Sequence, residues 1–273
     1  MKYLIESGYQ PMDIGIELQS RTPNNLVKTV VYDAENNDLI LERYDYVSGS
    51  VKRVLKLPLT TRRIIVESFT KRFGRQPLGK DQSFKLLPPK LLPMRKATVS
   101  LGSGDREFIK WISQMVKELP RLKPNGNLRR SPSGRFKIVI VDKLRTKDGQ
   151  YINSPAMVGK KTGTIEISKD YMLKMSQNQR IAVLTHEYGH FYKNPLMNLP
   201  IGDEFGADLN GVTLFAGSGF GLDEYGNAFK KVFDGAQTDQ NSRREKVIKM
   251  FLDELEKGKY FVPPYNLEDY VRK

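Results

Sequence analysis

The first third of the chain alternates polar and apolar positions with the period of a strand. Residues 26–33 (LVKTVVYD), 39–46 (LILERYDY) and 51–57 (VKRVLKL) are β-rich runs separated by AENND and SGS, which predicts a three-stranded antiparallel meander joined by short turns. The spacing then changes. In TTRRIIVESFTKRFG, Ile64, Ile65 and Phe69 fall at helical intervals, Thr61 can cap and Gly74 can terminate, so a helix is expected to close this part. Residues 75–103 contain four prolines and no sustained periodicity, and read as an extended arm. Its LLPPKLLP core suits either a strap across the protein surface or a polyproline-type docking segment.

From residue 104 the pattern becomes mixed. GDREFIKWISQMVKELP predicts an amphipathic helix capped by Asp105 and stopped before Pro120, with Phe108, Ile109, Trp111, Ile112, Met115 and Val116 on its apolar side. After the loop RLKPNGNLRRSPSGR come two strands, FKIVIVD and GTIEIS at 163–168. A helix follows from Ser176, which forms a capping box with Gln179, to Asn194, which Pro195 forces out of helical geometry. NPLMNLPIG reverses the chain into a second helix, DEFGADLNGVTLFAG, with Asp203 as its cap. The glycine-rich AGSGFG follows a helix and lacks a phosphate-loop lysine, so it is a connection rather than a nucleotide site. EYGNAFKKVF and SRREKVIKMFLDELEKG predict two amphipathic helices, and YFVPPYNLEDYVRK is a tail able to dock on a neighbour. The fold class expected is α+β: a small antiparallel β module plus helix over 1–74, a proline-rich basic arm over 75–103, and an α+β domain over 104–273.

Charge sharpens this division. Residues 51–150 carry 25 Lys/Arg against 7 Asp/Glu, whereas residues 151–273 are balanced, so the whole basic excess sits in the middle of the chain. That concentration suits contact with nucleic acid or an acidic protein surface through 51–150, or a solvated basic face. Arg129, Arg130 and Arg135 can touch phosphates but lack an interleaved aromatic ladder, which favours a solvated loop. The chain has no cysteine, so any metal must be held by nitrogen and oxygen. The N-terminal apolar patch is too short for a signal peptide and no run reaches membrane-spanning length, so no membrane is expected and the location expected is cytoplasmic.

The two histidines of the chain both lie in THEYGHFYK, at positions 186 and 190. On a helix they stand one turn apart on one face and can reach one ion, while Glu187 can contact a water bound to that ion. Two ordinary surface histidines are a poor competitor, because the pair is the whole histidine content and a glutamate follows the first directly. A catalytic zinc needs three protein ligands and an open position, and no third histidine exists. Glu204, in the first turn of the next helix, is the third ligand expected. Asp208 follows at i+4, where its carboxylate can accept the free ring N–H of a liganding histidine. A solvated acidic stripe of Glu204 and Asp208, or Asp203 as the ligand, are the alternatives. Non-haem iron uses the same ligand set in a different setting.

HEYGH followed by EFGAD resembles the zincin metallopeptidases, in the branch whose third zinc ligand is a glutamate on a following helix. The order strand, strand, HEYGH helix, EFGAD helix over 136–216 is similar to that superfamily's minimal catalytic core. The resemblance implies a zinc-dependent endopeptidase with a protein or peptide substrate: His186, His190 and Glu204 hold Zn2+, Glu187 is the general base, and Asp208 supports a ligand. It also implies that GTIEIS is the edge strand to which substrate adds. No downstream histidine is present to stabilise the oxyanion, which leaves Tyr225, Tyr192 or an arginine, with Tyr225 named first. A basic middle, no cysteine and a small zincin core with extra arms also resemble virion proteins of tailed phages, including crAss-like phages, that build rings near the portal. That likeness implies a structural role in a homo-oligomer or larger virion assembly.

Overall fold

The computed structural model describes residues 1–70, 83–94, 99–125, 128–146, 148–192, 197–198, 204–257 and 265–266. The chain is α+β and divides into two compact units, Met1–Lys96 with Gly219–Gly221, and Ala97–Ser218 with Leu222–Lys273.

The first unit is a six-stranded antiparallel sheet built from β1 (Lys2–Glu6), β2 (Met12–Asp33), β3 (Leu39–Leu57), β4 (Arg63–Thr70), β5 (Phe84–Leu86) and β6 (Lys90–Leu92). The order is β1-β4-β2-β3, with β5 and β6 pairing with the first half of β2. Inward side chains such as Ile14, Leu18, Val31, Leu55 and Val66 form one core. Two expectations are corrected here. Residues 39–57 form one strand: Ser48, Gly49 and Ser50 do not turn the chain but accompany a register shift between Ser20 and Asn25 of β2, with Gly49 at φ +68. The helix expected over 60–74 is instead β4 as far as Thr70. Ile64, Val66, Ser68 and Thr70 are buried in strict alternation, and β4 pairs with β1 on one side and β2 on the other. The β-branched run Ile64-Ile65-Val66 favours a strand, and two waiting edges outweigh the helical spacing. Residues 71–74 lie outside the described residues. Within the proline-rich arm, Phe84 and Leu86 are buried in β5, and Pro88 and Pro89 separate it from β6.

The second unit contains α1 (Ser103–Glu118), a 3-10 turn at Leu119–Arg121, β7 (Arg129–Arg130), β8 (Lys137–Val141), β9 (Leu144–Arg145), β10 (Tyr151–Ile152), β11 (Ala156–Gly159), β12 (Thr164–Ser168), α2 (Lys169–Met172), α3 (Gln177–Gly189), β13 (Met197–Asn198), α4 (Glu204–Gly217), α5 (Leu222–Asp234), α6 (Asp239–Glu256) and β14 (Tyr265–Asn266). Its main sheet has the order β11-β12-β8-β7, parallel between β12 and β8 and antiparallel at both outer pairs. GTIEIS is therefore an inner strand, and β11 is the edge, because the turn at 160–163 folds β11 back onto β12. Asp105 does not cap α1: the N-cap is Gly102, and Asp105 accepts a 2.8 Å hydrogen bond from the Tyr188 hydroxyl. Asp203 lies outside the described residues.

Every residue of α3 is buried, as befits a helix enclosed on all sides by α1, α4, α5 and β11. Its start is fixed as expected: Ser176 Oγ accepts from Gln179 N–H and Gln179 Oε1 accepts from Ser176 N–H. Its end comes earlier than expected, at Gly189 with His190 as C-cap, rather than at Asn194. No helix among the described residues is long and apolar enough to cross a membrane.

Candidate metal centre

The crossing of α3 and α4 decides where the ligands stand. A Cβ on Gly189 would lie 2.5 Å from the carbonyl oxygen of Ala207, and a Cβ on Gly211 would strike the Tyr225 hydroxyl and lie 2.9 Å from Cα of His186. Each helix thus offers a glycine where the other's backbone passes, and only a bare backbone permits this approach. The Asn210 side chain adds a clamp, donating from Nδ2 to the carbonyls of Gly189 (3.0 Å) and Tyr192 (2.9 Å). Asn210 on α4 thereby ties down the chain on both sides of His190.

On this frame His186, His190 and Glu204 come together, with one ligand atom from each lying within 4.8 Å of the others. Nε2 of His186 is 3.5 Å from Glu204 Oε2, and Nε2 of His190 is 3.5 Å from Glu204 Oε1. Both rings are buried, while Glu204 is about a third exposed at 36%. Asp208, fully buried, brings Oδ1 to 2.8 Å from Nδ1 of His186, although the ring is not aimed squarely enough for an aligned hydrogen bond. Two nitrogens and a carboxylate at these separations can hold a divalent ion, and the donor set fits one.

The charges of the group are strongly coupled. Burial opposes charge on His186, but the carboxylates of Asp208 and Glu204 outweigh it and hold the ring up at about 9. The hydrogen bond from His186 draws Glu204 down to about 2. His190 is pushed down to about 4 by burial and by the neighbouring His186 charge, so it is neutral at physiological pH, the form that ligates. Glu187 is buried beside them, and desolvation lifts its carboxyl to about 7.

A cleft of about 320 Å³ opens above this group. One wall is Ile152 to Val158 with Lys160, the other is Phe229, Val232, Phe233 and Ala236 with Arg244, and the floor includes Val183, His186, Glu187 and His190. Arg244 is the residue that sequence reasoning missed. Its guanidinium makes a two-pronged contact with Asp208, Nε to Oδ2 at 2.7 Å and Nη2 to Oδ1 at 2.9 Å, and Nη2 also lies 3.2 Å from Glu204 Oε2. In the sequence it is one of two adjacent arginines on an amphipathic helix, with no local signal to separate them. Burial separates them: Arg244 is 9% exposed.

Tyr225 is placed differently from the expectation. It is fully buried, it does not line the cleft, and its hydroxyl donates to the carbonyl of Asp208 at 3.0 Å. That proton is committed to the α4 backbone, so Tyr225 braces α5 against α4 beneath the ligands. Tyr192 is also buried and absent from the cleft lining. The arginine named third among the alternatives is the side chain type that does reach the site. Comparison with family models, with curated proteins and with solved structures gave no match.

Proposed function

We propose that this chain is a zinc-dependent metallopeptidase in which Glu187 is the general base. The observation that carries the reading is the convergence of two neutral-capable imidazoles and one carboxylate from two crossing helices, with a second, buried carboxylate, Glu187, beside them in an open cleft. Three protein ligands of this kind with room above them are the ligand set of a catalytic zinc. Bound there, the ion would supply a Lewis acid and a water acidified to about pKa 7.

The remaining chemistry belongs to the chain. Glu187, lifted to about 7 by burial, is poised near neutrality both to take a proton from the attacking water and to return it to the leaving amine. Asp208 sets a buried negative charge 2.8 Å from Nδ1 of His186 and is itself held by Arg244, which favours one orientation of the ring. The edge strand β11 offers the substrate its backbone. Pro155 accepts from Ser168 N–H at 2.9 Å, so residues 155, 157 and 159 face β12, while the N–H of Ala156 and the N–H and C=O of Val158 face outward along the cleft and the Ala156 C=O accepts from Ser154 Oγ at 2.9 Å. A peptide laid there would extend the sheet by one strand.

The test is a metal analysis paired with one substitution. The purified protein is expected to hold one zinc, and Glu187→Gln to keep it while peptide hydrolysis falls by about 10²- to 10⁴-fold. A protein that binds no divalent metal, or a Glu187→Gln variant that hydrolyses at the native rate, overturns the reading.

A further inference from the structure

One end of the main sheet in the second unit is strongly basic. The register makes Gly159 of β11, Thr164 of β12, Lys137 of β8 and Arg130 of β7 successive partners across the sheet. Neighbouring strands lie about 4.8 Å apart, so this row spans about 14 Å. Lys160 and Lys161 follow Gly159 in the exposed turn to β12. Arg135 stands just before β8, its carbonyl oxygen so close to this turn that a Cβ added to Gly163 would lie 2.5 Å from it. Arg130, Arg135, Lys137, Lys160 and Lys161 are thus gathered along one rim. Among the described residues Arg130, Lys137 and Lys161 have no ion-paired acid: Glu118 is taken by Arg129 at 2.6 Å, and Glu166 lies two residues further along β12, level with Val139.

This rim runs into the metal cleft. Lys160 lines that cleft, near enough for its charge to be felt at His190. A chain leaving the cleft along β11 at this end passes Lys161 and then the row of Lys137 and Arg130, and negative charge on that chain would be attracted. Nucleic acid fits less well, for two reasons. The rings beside the rim, Phe136 and Phe191, lie under the Arg135 guanidinium, 5.4 and 5.8 Å from it, so neither offers a bare face on which a base could stack. A phosphate backbone would also carry its charge onward into a cleft that holds Glu187 and Glu204, whereas a polypeptide is charged only where acidic side chains stand.

Resting on the metallopeptidase reading, we propose that the substrate is a polypeptide with a cluster of acidic side chains on one flank of the cleaved bond, held by the rim of Arg130, Arg135, Lys137, Lys160 and Lys161. The acids take no part in the reaction. They meet the rim while the residues beside them pair with β11, and exposed charges of this kind speed encounter and fix register more than they tighten binding.

Peptides that share one uncharged central segment and carry a run of Asp and Glu before it, after it, or nowhere decide the matter. Binding is measured by calorimetry on the zinc-loaded Glu187→Gln protein, and cleavage by the native protein is followed by mass spectrometry. One of the two acidic placements is expected to be bound and cut about tenfold better than the neutral peptide, an advantage that shrinks toward none as NaCl is raised from about 0.05 to about 0.5 M. Reversing two exposed charges, Arg130→Glu with Lys161→Glu, is expected at equal zinc content to bring the acidic-to-neutral ratio below about twofold. Equal handling of all the peptides, the same advantage for both placements, a ratio that survives the double substitution, or a single-stranded oligonucleotide that binds more tightly than the acidic peptide overturns the acidic-substrate proposal while leaving the peptidase reading in place. Zinc bound with no peptide bound or cut overturns both.

Discussion

Replacing Gly189 by alanine tests whether the close crossing of α3 and α4 is what builds the centre. The new methyl would lie 2.5 Å from the Ala207 carbonyl oxygen and 3.2 Å from its Cα and C, all backbone atoms that no rotamer change can move aside. Restoring ordinary contact at 3.4 Å or more requires the helices to part by about 1 Å at this point. Overpacking of this sort costs about 1–3 kcal/mol. For a domain of this size that is a fall in Tm of about 2–10 °C, measured by thermal denaturation in EDTA. The metal effect should be larger in proportion. His186 and His190 stand on one side of the moving interface and Glu204 on the other, while ligand distances tolerate shifts of only about 0.2 Å. Zinc affinity, measured by competition with a chromophoric chelator, is expected to weaken by about tenfold or more, and the Asn210 clamp onto Gly189 and Tyr192 to loosen with it. A Gly189→Ala protein with native zinc affinity and an unchanged Tm would refute the argument that the bare backbone at 189 sets the ligand spacing.

Asp208→Asn should be costly twice over. It removes the charge facing His186 and leaves the buried Arg244 without its two-pronged partner, so zinc affinity should drop by about 10- to 100-fold and stability by about 3–5 kcal/mol, read by chelator competition and urea unfolding. The pH response should have opposite signs for folding and for metal. His186 is raised from an ordinary 6.5 to about 9, so in EDTA its contribution to stability is complete below pH 6.5 and is lost as pH rises through 9, about 1.4 kcal/mol per unit between 7 and 9. Zinc must displace that proton, so affinity over the same interval should rise with pH, by up to about tenfold per unit. A flat stability profile in EDTA from pH 7 to 9 would remove the assigned charge on His186.

What could be read from the sequence follows the range of the interactions involved. The capping box at Ser176 and Gln179, the one-turn spacing of His186 and His190, and the i+4 spacing of Glu204 and Asp208 are all set within a single helix, and each is found where the local pattern placed it. Pairing between the two helices was legible only because the donor chemistry demanded a carboxylate and the next helix began with one. The misses are of another kind. Residues 63–70 carry a pattern compatible with either period, and what selects the strand is the pair of edges offered by β1 and β2, both of them more than thirty residues away. Arg244 is 36 positions from Asp208 and reaches it only through the packing of α6 against α4, so no spacing rule could single it out from Arg243. Tyr225 was legible as a residue near the site and not as a buried one, since its hydroxyl finds the Asp208 carbonyl only after α5 folds back beneath α4. The glycines make the same point from the other side. Gly211 sits inside α4, where glycine costs about 1 kcal/mol relative to alanine, and Gly189 closes α3; both make physical sense against a neighbouring backbone 2.5–3 Å from where a methyl would be. A glycine whose missing methyl would strike another helix is therefore a statement about that partner helix, and here the partner of α3 carries Glu204, the third member of the candidate metal group.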